Sequence, residues 1–404
     1  MNRLNHQDTK TQLVLEKLLC LRAFVVKLPN VNTVIDRRGF LRGAAATSVA
    51  LMMARRALPF DERRHFAPVK VARNRIIREV VGLRPYRPSG FVVDAQRFGS
   101  KLLVHNYGHG GGGVTLSWGT ASLAVDLARD FLIARKTARP TRFAVLGCGV
   151  SGLSTARLLQ RRFQNGPGTV TIYAKDLPPD TTSNIAGAWW APTSVYETAT
   201  PKFNEQFRQA SRISNRAFQL LVGAEYGVRW IDTLELSRHE ASLGRELPGG
   251  NDLYPQIETH RDPDNYFGFP FVKQYMSMLI EPSIYLSALL RDFYIAGGRV
   301  VVQEFKSRQQ IARLREPVVF NCTGLGSREL FDDEELIPVR GQLEVLLPQP
   351  EIDYCYLSSG YMFPRRDGVI LGGTWDRDDW SLTPNPEQAT EILESHMEIM
   401  KNLK

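Results

Sequence analysis

Cysteine is scarce in this chain of 404 residues, which contains only Cys20, Cys148, Cys322 and Cys355. Their separations match neither a metal-binding motif nor a disulfide framework, so both kinds of cysteine site are excluded. Cys148 lies in a glycine-rich turn and Cys322 follows a strand-like run. We therefore expect these two to be small buried residues.

A basic excess is absent from most of the chain, although the net charge is +9. Residues 1–58 contain 10 Lys/Arg and 3 Asp/Glu, whereas the residues after position 58 contain 41 and 39. The positive charge therefore belongs to the N-terminal segment. A nucleic-acid partner, which needs a basic surface on the folded protein, is excluded.

Long apolar runs are also absent. The weakly apolar stretch 43–54 is shorter than the about 20 residues that a membrane-spanning helix needs, so we expect no stable membrane span. It follows residues 36–42, whose paired arginines and nearby apolar residue resemble a bacterial twin-arginine signal. We expect 1–58 to be a leader that exports the folded protein. The alternative is a basic amphipathic helix on a cytoplasmic protein.

The remaining chain has no internal repeat or low-complexity tract, and it is long enough for two domains. Residues 248–270 are rich in Pro, Gly and Asp and are expected to form loops. Apolar periodicity predicts short strands at 101–104, 143–146, 170–173, 299–303, 342–347 and 369–373. The same pattern predicts helices at 118–135, 153–163, 203–223, 284–296 and 386–402.

A glycine turn lies between the predicted strand 143–146 and the predicted helix 153–163. With the strand 170–173 that follows, this order is typical of a dinucleotide-binding unit. Glycines permit the tight turn and let a pyrophosphate approach the backbone amides at the helix N-terminus. The predicted cofactor contacts are Gly147, Cys148, Gly149, Val150, Ser151 and Gly152.

A second glycine-rich turn, 108–113, occurs earlier in the chain and leads towards the predicted helix 118–135. Four consecutive glycines allow backbone N–H groups to converge ahead of a helix, whose dipole favours negative charge. Such a nest would stabilise negative charge on a bound ligand. The predicted ligand contacts in this turn are Gly110, Gly112, Gly113, Val114 and Thr115.

Together, residues 103–121 and 147–152 resemble the two signature motifs of the D-amino-acid oxidase family. In that family the dinucleotide turn stands near the N-terminus and the tetraglycine motif near the C-terminus, whereas here the order is reversed. The resemblance covers nearly all of 65–404 once the order is rotated. It therefore predicts a circularly permuted flavoenzyme with FAD as its cofactor.

The resemblance implies an α/β fold with two domains that are discontinuous in sequence. One is a doubly wound, Rossmann-like FAD-binding domain formed by 100–195 and 284–335. The other is a mixed, largely antiparallel substrate domain formed by 60–99, 196–283 and 336–404. Circular permutation would place the new chain termini in a connection between secondary-structure elements, where a chain break is tolerated.

Further cofactor contacts follow from the same resemblance. Residues 180–192 match the family's segment that covers the diphosphate and approaches the flavin ring, which implies contacts from Thr181, Thr182, Ser183, Gly187, Ala188 and Trp189. The family's acidic residue for the adenosine ribose falls on Lys175, and Asp176 lies one place further along. Either Asp176 substitutes for it or ribose binding is altered.

The resemblance also implies the substrate contacts. Arg84, in an arginine–proline run, would bind the substrate carboxylate in bidentate fashion through two guanidinium nitrogens. Tyr361 matches a tyrosine whose hydroxyl contacts the same carboxylate, and Gly111 matches a glycine whose carbonyl accepts from the substrate amine. A second family tyrosine corresponds to Leu357. An aspartate-selective member would need another arginine, for which the candidates are Arg365 and Arg366, and Arg340 is left out of catalysis.

The implied reaction transfers a hydride from Cα of a D-amino acid to flavin N5, and gives a 2-oxo acid, ammonia and, with oxygen, H₂O₂. No side-chain base is required if the amine binds in its neutral form, so catalysis would depend on positioning and electrostatics. Two alternatives stay open: an amine or amino-acid dehydrogenase with another electron acceptor, and a catalytically impaired FAD-binding protein. The sequence also leaves a homodimer open.

Overall fold

The computed structural model describes residues 66–134, 142–163, 169–261 and 267–403, so the predicted leader 1–58 lies outside the described residues. The strands are β1 Ile76–Tyr86, β2 Val92–Phe98, β3 Lys101–Tyr107, β4 Phe143–Leu146, β5 Val170–Ala174, β6 Val228–Ser237, β7 Glu258–Arg261, β8 Phe271–Ile280, β9 Arg299–Val302, β10 Val318–Asn321, β11 Ile337–Leu346, β12 Tyr354–Leu357, β13 Tyr361–Arg365, β14 Gly368–Gly372 and β15 Asp376–Arg377. The α-helices are α1 Gly113–Ala134, α2 Val150–Phe163, α3 Thr182–Ile185, α4 Pro201–Gln219, α5 Pro282–Ile295, α6 Arg308–Ala312, α7 Gly326–Phe331 and α8 Pro386–Lys401.

Six strands form a sheet with the order β2-β3-β10-β4-β5-β9. Five of them are parallel, and β2 pairs antiparallel with β3 at one edge. The inner strands β3, β4, β5 and β10 are buried along their whole length. They are buried because α1, α2 and α5 cover one face of the sheet while α6 and α7 cover the other. This confirms the predicted doubly wound α/β fold.

The strand order of this sheet reverses between β4 and β10. From β4 the chain passes through α2 to β5 on one side, whereas β10 and β3 lie on the other side. Just beyond β10, the amide of Cys322 donates to the carbonyl of Leu146 at 2.9 Å, which holds the two strand ends together. Ligands of open α/β sheets bind outside the carboxyl ends of the strands at such a reversal.

Nine strands form the second sheet, with the order β1-β11-β14-β13-β12-β6-β8-β7 and with β15 paired to β11. Every neighbouring pair is antiparallel except β12 with β6. One face packs against α8 and the segment 66–71. The opposite face carries Leu343, Phe363 and Ile370, against which Ile185 and Trp189 pack. The predicted mixed, largely antiparallel sheet is thus confirmed.

Most of the predicted elements are present, and the differences lie at their boundaries. Strand β4 has the predicted bounds, whereas α1 begins at Gly113, five residues before the predicted start at 118. Its first turns are buried, and this tertiary packing outweighs the weak helix propensity of glycine and β-branched residues. Residues 248–270 are not loops throughout, because β7 pairs with β8 there. None of the helices in the described ranges is long and apolar enough to span a bilayer.

Strand β2 belongs to a different domain from the one predicted for it. The range 60–99 is assigned to the substrate domain, but β2 pairs with β3 in the six-stranded sheet through a tight turn at Gly99. A short hairpin of this kind keeps its two strands in one sheet. All other strands within the predicted ranges lie in the sheet that the ranges assign to them.

Circular permutation remains a prediction, and the packing of α8 makes it testable. The amide of Val69 lies 3.2 Å from Sδ of Met400, and Phe66 shares a buried cluster with Ile399. A chain reordered as 142–403, a flexible linker of about five residues and then 66–134 is therefore expected to fold. We expect far-UV circular dichroism and a thermal midpoint close to those of the original order.

The control for this reordering opens the chain within α2, whose inner face is fully buried. That control should fail to fold cooperatively, because the cut leaves helical backbone groups without partners in the core. An unfolded 142–403/66–134 chain would contradict the permutation. So would equal behaviour of the two reordered chains.

Candidate active site

The turn Gly147–Gly152 leads from β4 into α2, as predicted, and it lies at the reversal of the strand order. Gly147 has φ +103°, and a side chain there would overlap the carbonyl oxygen of Cys322. A side chain on Gly152 would overlap the carbonyl of Gly147. Both positions therefore require glycine for the tight turn into α2. Burial raises the pKa of the Cys148 thiol to about 12, so this residue contributes backbone rather than a reactive thiolate.

Hydroxyl groups of the segment 181–189 lie against this turn. The amide of Val150, at the N-terminus of α2, donates to Oγ of Ser183 at 3.0 Å. Oγ1 of Thr181 donates to Oδ1 of Asn184 at 2.8 Å, while Thr182 is exposed beside them. A helix N-terminus flanked by hydroxyl groups is suited to a phosphate.

The end of β5 leaves the predicted ribose contact undecided. Lys175 and Asp176 are both exposed, with 65% and 51% of their side chains accessible, and their charged atoms lie 3.7 Å apart. An exposed pair of this kind contributes little to stability and is free to rearrange around a ligand. Contact of Lys175 or Asp176 with the ribose stays a prediction.

The tetraglycine turn does not form the predicted nest of backbone amides. Gly110–Gly112 form a single 3₁₀ turn that runs directly into α1. The amide of Gly111 donates to the carbonyl of Ser194 at 2.9 Å, and that of Gly112 donates to the carbonyl of His109 at 3.0 Å. These two amides are therefore engaged by the protein and do not form a nest for a ligand. Negative charge would instead face the first turn of α1, which holds Gly113, Val114 and Thr115.

The two glycine turns leave the same edge of the six-stranded sheet. Strand β10 lies between β3 and β4, and Asn321 is in register with His105 on one side and Leu146 on the other. Neighbouring strands are about 4.8 Å apart, so the ends of β3 and β4 are separated by about 10 Å. Nδ2 of Asn106, at the end of β3, also donates to Oγ1 of Thr155 on α2 at 3.1 Å. The structure thus brings together two motifs that the sequence separates.

Arg84 lies on the face of the nine-stranded sheet and is half-buried. Its guanidinium extends over Gly341, where any side chain would overlap it. Nη1 donates to the carbonyls of Arg340 at 3.3 Å and Thr374 at 3.2 Å. No carboxylate of the described residues lies within ion-pair distance of Arg84, so its charge is available to an anionic ligand.

Tyr361 approaches the same place from β13. Its ring lies over Gly372, where a side chain would overlap it, and its hydroxyl lies 2.7 Å from the position of a Cβ on Gly373. Arg84 donates to Thr374, the next residue along, so both side chains converge on the segment 372–374. Among the described residues, nothing forms a hydrogen bond with the Tyr361 hydroxyl. The two predicted carboxylate contacts are therefore neighbours.

The segment 185–189 crosses this face of the sheet. A side chain on Gly82 of β1 would lie 3.0 Å from Ile185, and one on Gly187 would lie 2.9 Å from Phe363 of β13. At its far end, Nε1 of Trp189 donates to Oγ1 of Thr233 on β6 at 3.0 Å. This segment therefore connects the dinucleotide turn, through Ser183, to the neighbourhood of Tyr361. Gly187 and Ala188 lie between them.

Tyr86 connects Arg84 to the tetraglycine turn. It follows Arg84 by two residues on β1, pairs with His109 across an isolated bridge, and would contact any side chain placed on Gly110. Gly111 is the exposed residue of the turn and adjoins this point. All three predicted substrate contacts thus lie around one region between the sheet face and the tetraglycine turn.

Two of the other arginines considered from the sequence have protein partners. Arg340 is 3% exposed and pairs with Asp376 at 3.0 Å, so it is a buried structural residue that faces neither solvent nor ligand. Arg365 pairs with Asp367 through two nitrogens. Arg366 is exposed at the far end of β13 from Tyr361, about 13–17 Å along the strand. Neither Arg365 nor Arg366 therefore supplies a second carboxylate site beside Arg84.

Sequence reasoning missed Trp375, whose ring centroid lies 5.3 Å from the guanidinium carbon of Arg84. It also missed the buried hydrogen bond of 3.0 Å between Asn321 and Nδ1 of His105, which fixes the sheet edge. Burial lowers the pKa of His105 to about 4, so the imidazole is neutral there. The turn Gly372–Thr374 was a usable signal for Trp375, since paired glycines often mark a close approach of backbone to another group.

The fold and the site define an α/β nucleotide-binding oxidoreductase. More specifically, the chain belongs to the FAD-dependent oxidoreductase family, whose model matches residues 43–127 and 142–404. It is 31% identical over 259 residues to human D-aspartate oxidase, which covers 62% of this chain and 74% of that protein. It is also 31% identical over 265 residues to the D-amino-acid oxidase of Rubrobacter xylanophilus, with 62% and 75% covered.

Among solved structures, glycine oxidase from Bacillus cereus is similar, with 17% identity, a TM-score of 0.47, and 64% of this chain and 77% of that chain covered. Family membership makes the chain an FAD-dependent enzyme. The residues present fit this cofactor. Gly147 and Gly152 leave no room for side chains, and Ser183 meets the amide at the N-terminus of α2. The pyrophosphate would lie there, with the ring towards Gly187 and the first turn of α1.

The dinucleotide turn generates a direct prediction. A Cβ on Gly149 would lie 3.1 Å from Oγ of Ser183, so Gly149→Val fills the space that a pyrophosphate needs. We expect the Kd for FAD to rise at least about tenfold, which corresponds to about 1.4 kcal/mol. Gly244→Ala is the matched control, because a Cβ there has its nearest neighbour at 3.9 Å. Titration of apoprotein by flavin fluorescence measures both, and equal affinities would contradict the placement.

Proposed function

We propose that the protein catalyses the oxidative deamination of D-amino acids with uncharged side chains. The observation that carries this proposal is the pairing of Arg84 with Tyr361. A half-buried guanidinium that has no carboxylate partner among the described residues, and a hydroxyl that has no protein partner among them, converge on the segment 372–374. Together they offer a positive charge and a hydrogen-bond donor to one carboxylate, the group shared by all amino acids.

Each residue has a defined task in this reaction. Arg84 binds the substrate carboxylate with two nitrogens, and the Tyr361 hydroxyl donates to the same group. The carbonyl of Gly111 accepts from the substrate amine and fixes its orientation. FAD, held by the turn Gly147–Gly152 and by Ser183, would supply the hydride acceptor, and O₂ would take up the two electrons to give H₂O₂.

The atoms balance without a side-chain base. The substrate, bound with a neutral amine, loses a hydride from Cα while the nitrogen lone pair forms the C=N bond, so it becomes a protonated imino acid and no proton has to leave at this step. Water then hydrolyses the C=N bond and releases a 2-oxo acid and ammonia. The indole of Trp375 beside Arg84 and the partial burial of Gly373 and Thr374 reduce water around the carboxylate, which strengthens its electrostatic attraction.

The preference for the D-enantiomer rests on the relatives. Both of the 31% identical relatives carry a D-amino-acid activity in their names. The substrate is held at three points, which are its carboxylate, its amine and its Cα–H bond. Two enantiomers cannot place all three groups in the same positions, so an enzyme in which the Cα–H bond must face the flavin can distinguish them. The same residues bind the carboxylate and amine in either case, so the screen below includes both enantiomers.

The preference for an uncharged side chain follows from the arginines. Arg340 pairs with Asp376, Arg365 pairs with Asp367, and Arg377 pairs with Glu197. A second substrate carboxylate would therefore meet no unpaired arginine beside Arg84 in the described part of the chain. Burying an uncompensated charge is costly, so aspartate is disfavoured as a substrate. Leu357, opposite Tyr361 on β12, adds an apolar surface to the same face.

The first test removes the carboxylate contact. Arg84→Ala is expected to lower kcat/KM for D-amino acids by about 100-fold or more, since a bidentate charge-assisted contact is lost. Arg84→Lys keeps the charge but not the fork geometry and should recover only part of this loss. The control is Arg97→Ala, an exposed arginine of β2. Unchanged turnover by Arg84→Ala at full flavin content would refute the site assignment.

The second test is an anaerobic screen of flavin reduction over D- and L-amino acids. Neutral D-amino acids should bleach the flavin, their L-enantiomers should not, and D-aspartate should react at least about tenfold more slowly than D-methionine, since its second carboxylate lacks a partner. Oxygen consumption by the reduced protein then separates an oxidase from a dehydrogenase. Reduction by D-aspartate as fast as by D-methionine would contradict the proposed selectivity.

A further inference from the structure

The loop that follows β14 covers Arg84. The carbonyl of Thr374 accepts from Nη1 of Arg84 at 3.2 Å, and the indole of Trp375 lies 5.3 Å from the guanidinium carbon. The same indole meets the ring of Tyr86 edge-on, with 5.3 Å between the ring centroids and 81° between the ring planes. Arg84 is therefore held between two carbonyl oxygens and an aromatic face, all of which are uncharged.

Carboxylates lie close to this loop, yet other arginines neutralise them. Asp376, the residue after Trp375, pairs with Arg340 at 3.0 Å, and Asp379 lies 3.7 Å from the same guanidinium. Arg377 pairs with Glu197 on the other side. Arg340 thus compensates Asp376 and Asp379, and Arg377 compensates Glu197. Within the part of the chain that the structure describes, the charge of Arg84 stays uncompensated.

The loop itself is firmly attached. Oγ1 of Thr374 accepts from the amide of Gln342 at 3.1 Å and donates to Asp376 at 3.0 Å. Gln388 of α8 donates to the same carboxylate at 3.0 Å. Trp375 therefore lies between two residues that are held by hydrogen bonds, Thr374 and Asp376, although 41% of its surface is exposed. An exposed tryptophan on an anchored loop contributes little to the core, and its ring contacts are those with Arg84 and Tyr86.

We propose that Trp375 is a positioning residue that presents Arg84 to the substrate carboxylate. Its ring attracts the guanidinium through the negative face of its π-system and holds it in one orientation. It also screens the ion pair between Arg84 and the substrate from water, and electrostatic attraction is stronger where water is excluded. This inference rests on the proposed function, in which Arg84 binds that carboxylate.

The test compares Trp375→Leu with Trp375→Phe. Leucine keeps apolar bulk without a ring, and we expect it to raise KM for a neutral D-amino acid about tenfold with little change in kcat. Phenylalanine keeps an aromatic face and should stay within about threefold of the wild type. Flavin content and thermal midpoint, measured on both holoproteins, establish that each variant is folded.

Two further readouts distinguish positioning from a merely structural role. The KM of Trp375→Leu should rise more steeply than that of the wild type as salt increases from about 0.05 M to about 0.5 M, because its ion pair is more exposed. In an Arg84→Met background, Trp375→Leu should add no further loss in the rate of flavin reduction, since the two residues act on one contact.

The outcomes separate this inference from the proposed function. If Arg84→Met abolishes flavin reduction while Trp375→Leu behaves like the wild type, the positioning role is wrong and the function stands. The role is also wrong if the losses of the two substitutions simply add. If Arg84→Met itself reduces flavin as fast as the wild type, the function assigned to Arg84 fails first.

Discussion

The register of β10 between β3 and β4 is the constraint on which the rest of the site depends. It aligns Asn321 with His105 on one side and Leu146 on the other, so two glycine turns from distant parts of the sequence leave one edge of the sheet. The neutral imidazole of His105 and the buried amide of Asn321 hold that edge through a hydrogen bond of 3.0 Å. A shift of one residue would move every side chain of β10 to the opposite face and separate the turns.

The second requirement is an open sheet face. Because Gly341 and Gly372 have no side chains, Arg84 and Tyr361 can lie flat across neighbouring strands. The two side chains meet at the segment 372–374. The segment 185–189 then crosses the same face and links it to the dinucleotide turn through Ser183. Pairing of the surrounding arginines with acidic side chains leaves Arg84 as the cation that a substrate carboxylate can reach among the described residues. The candidate cofactor site and the candidate substrate site therefore share one connected segment.

Local patterns predicted the fold well because its core elements obey them. The bounds of β4 follow from a continuous apolar run and the glycine turn from the backbone needs of a pyrophosphate, whereas α2 begins three residues before its predicted start at 153. Features that depend on tertiary packing could not be predicted from local sequence patterns. Helix α1 begins at Gly113 because burial outweighs propensity, and the amides of Gly111 and Gly112 donate to carbonyls that no spacing rule connects to them. Trp375 was missed because its role depends on the long-range contact with Arg84.

We infer that one FAD molecule spans both glycine turns, and a crystal structure of the flavin-loaded protein is the decisive test. The pyrophosphate is expected at Gly147–Gly152, beside Ser183, and the isoalloxazine ring between Gly187 and the first turn of α1. The ring is also expected to face Arg84 and Tyr361 across the open face of the nine-stranded sheet. A flavin that contacts only one of the two turns, or a ring remote from Arg84, would contradict it.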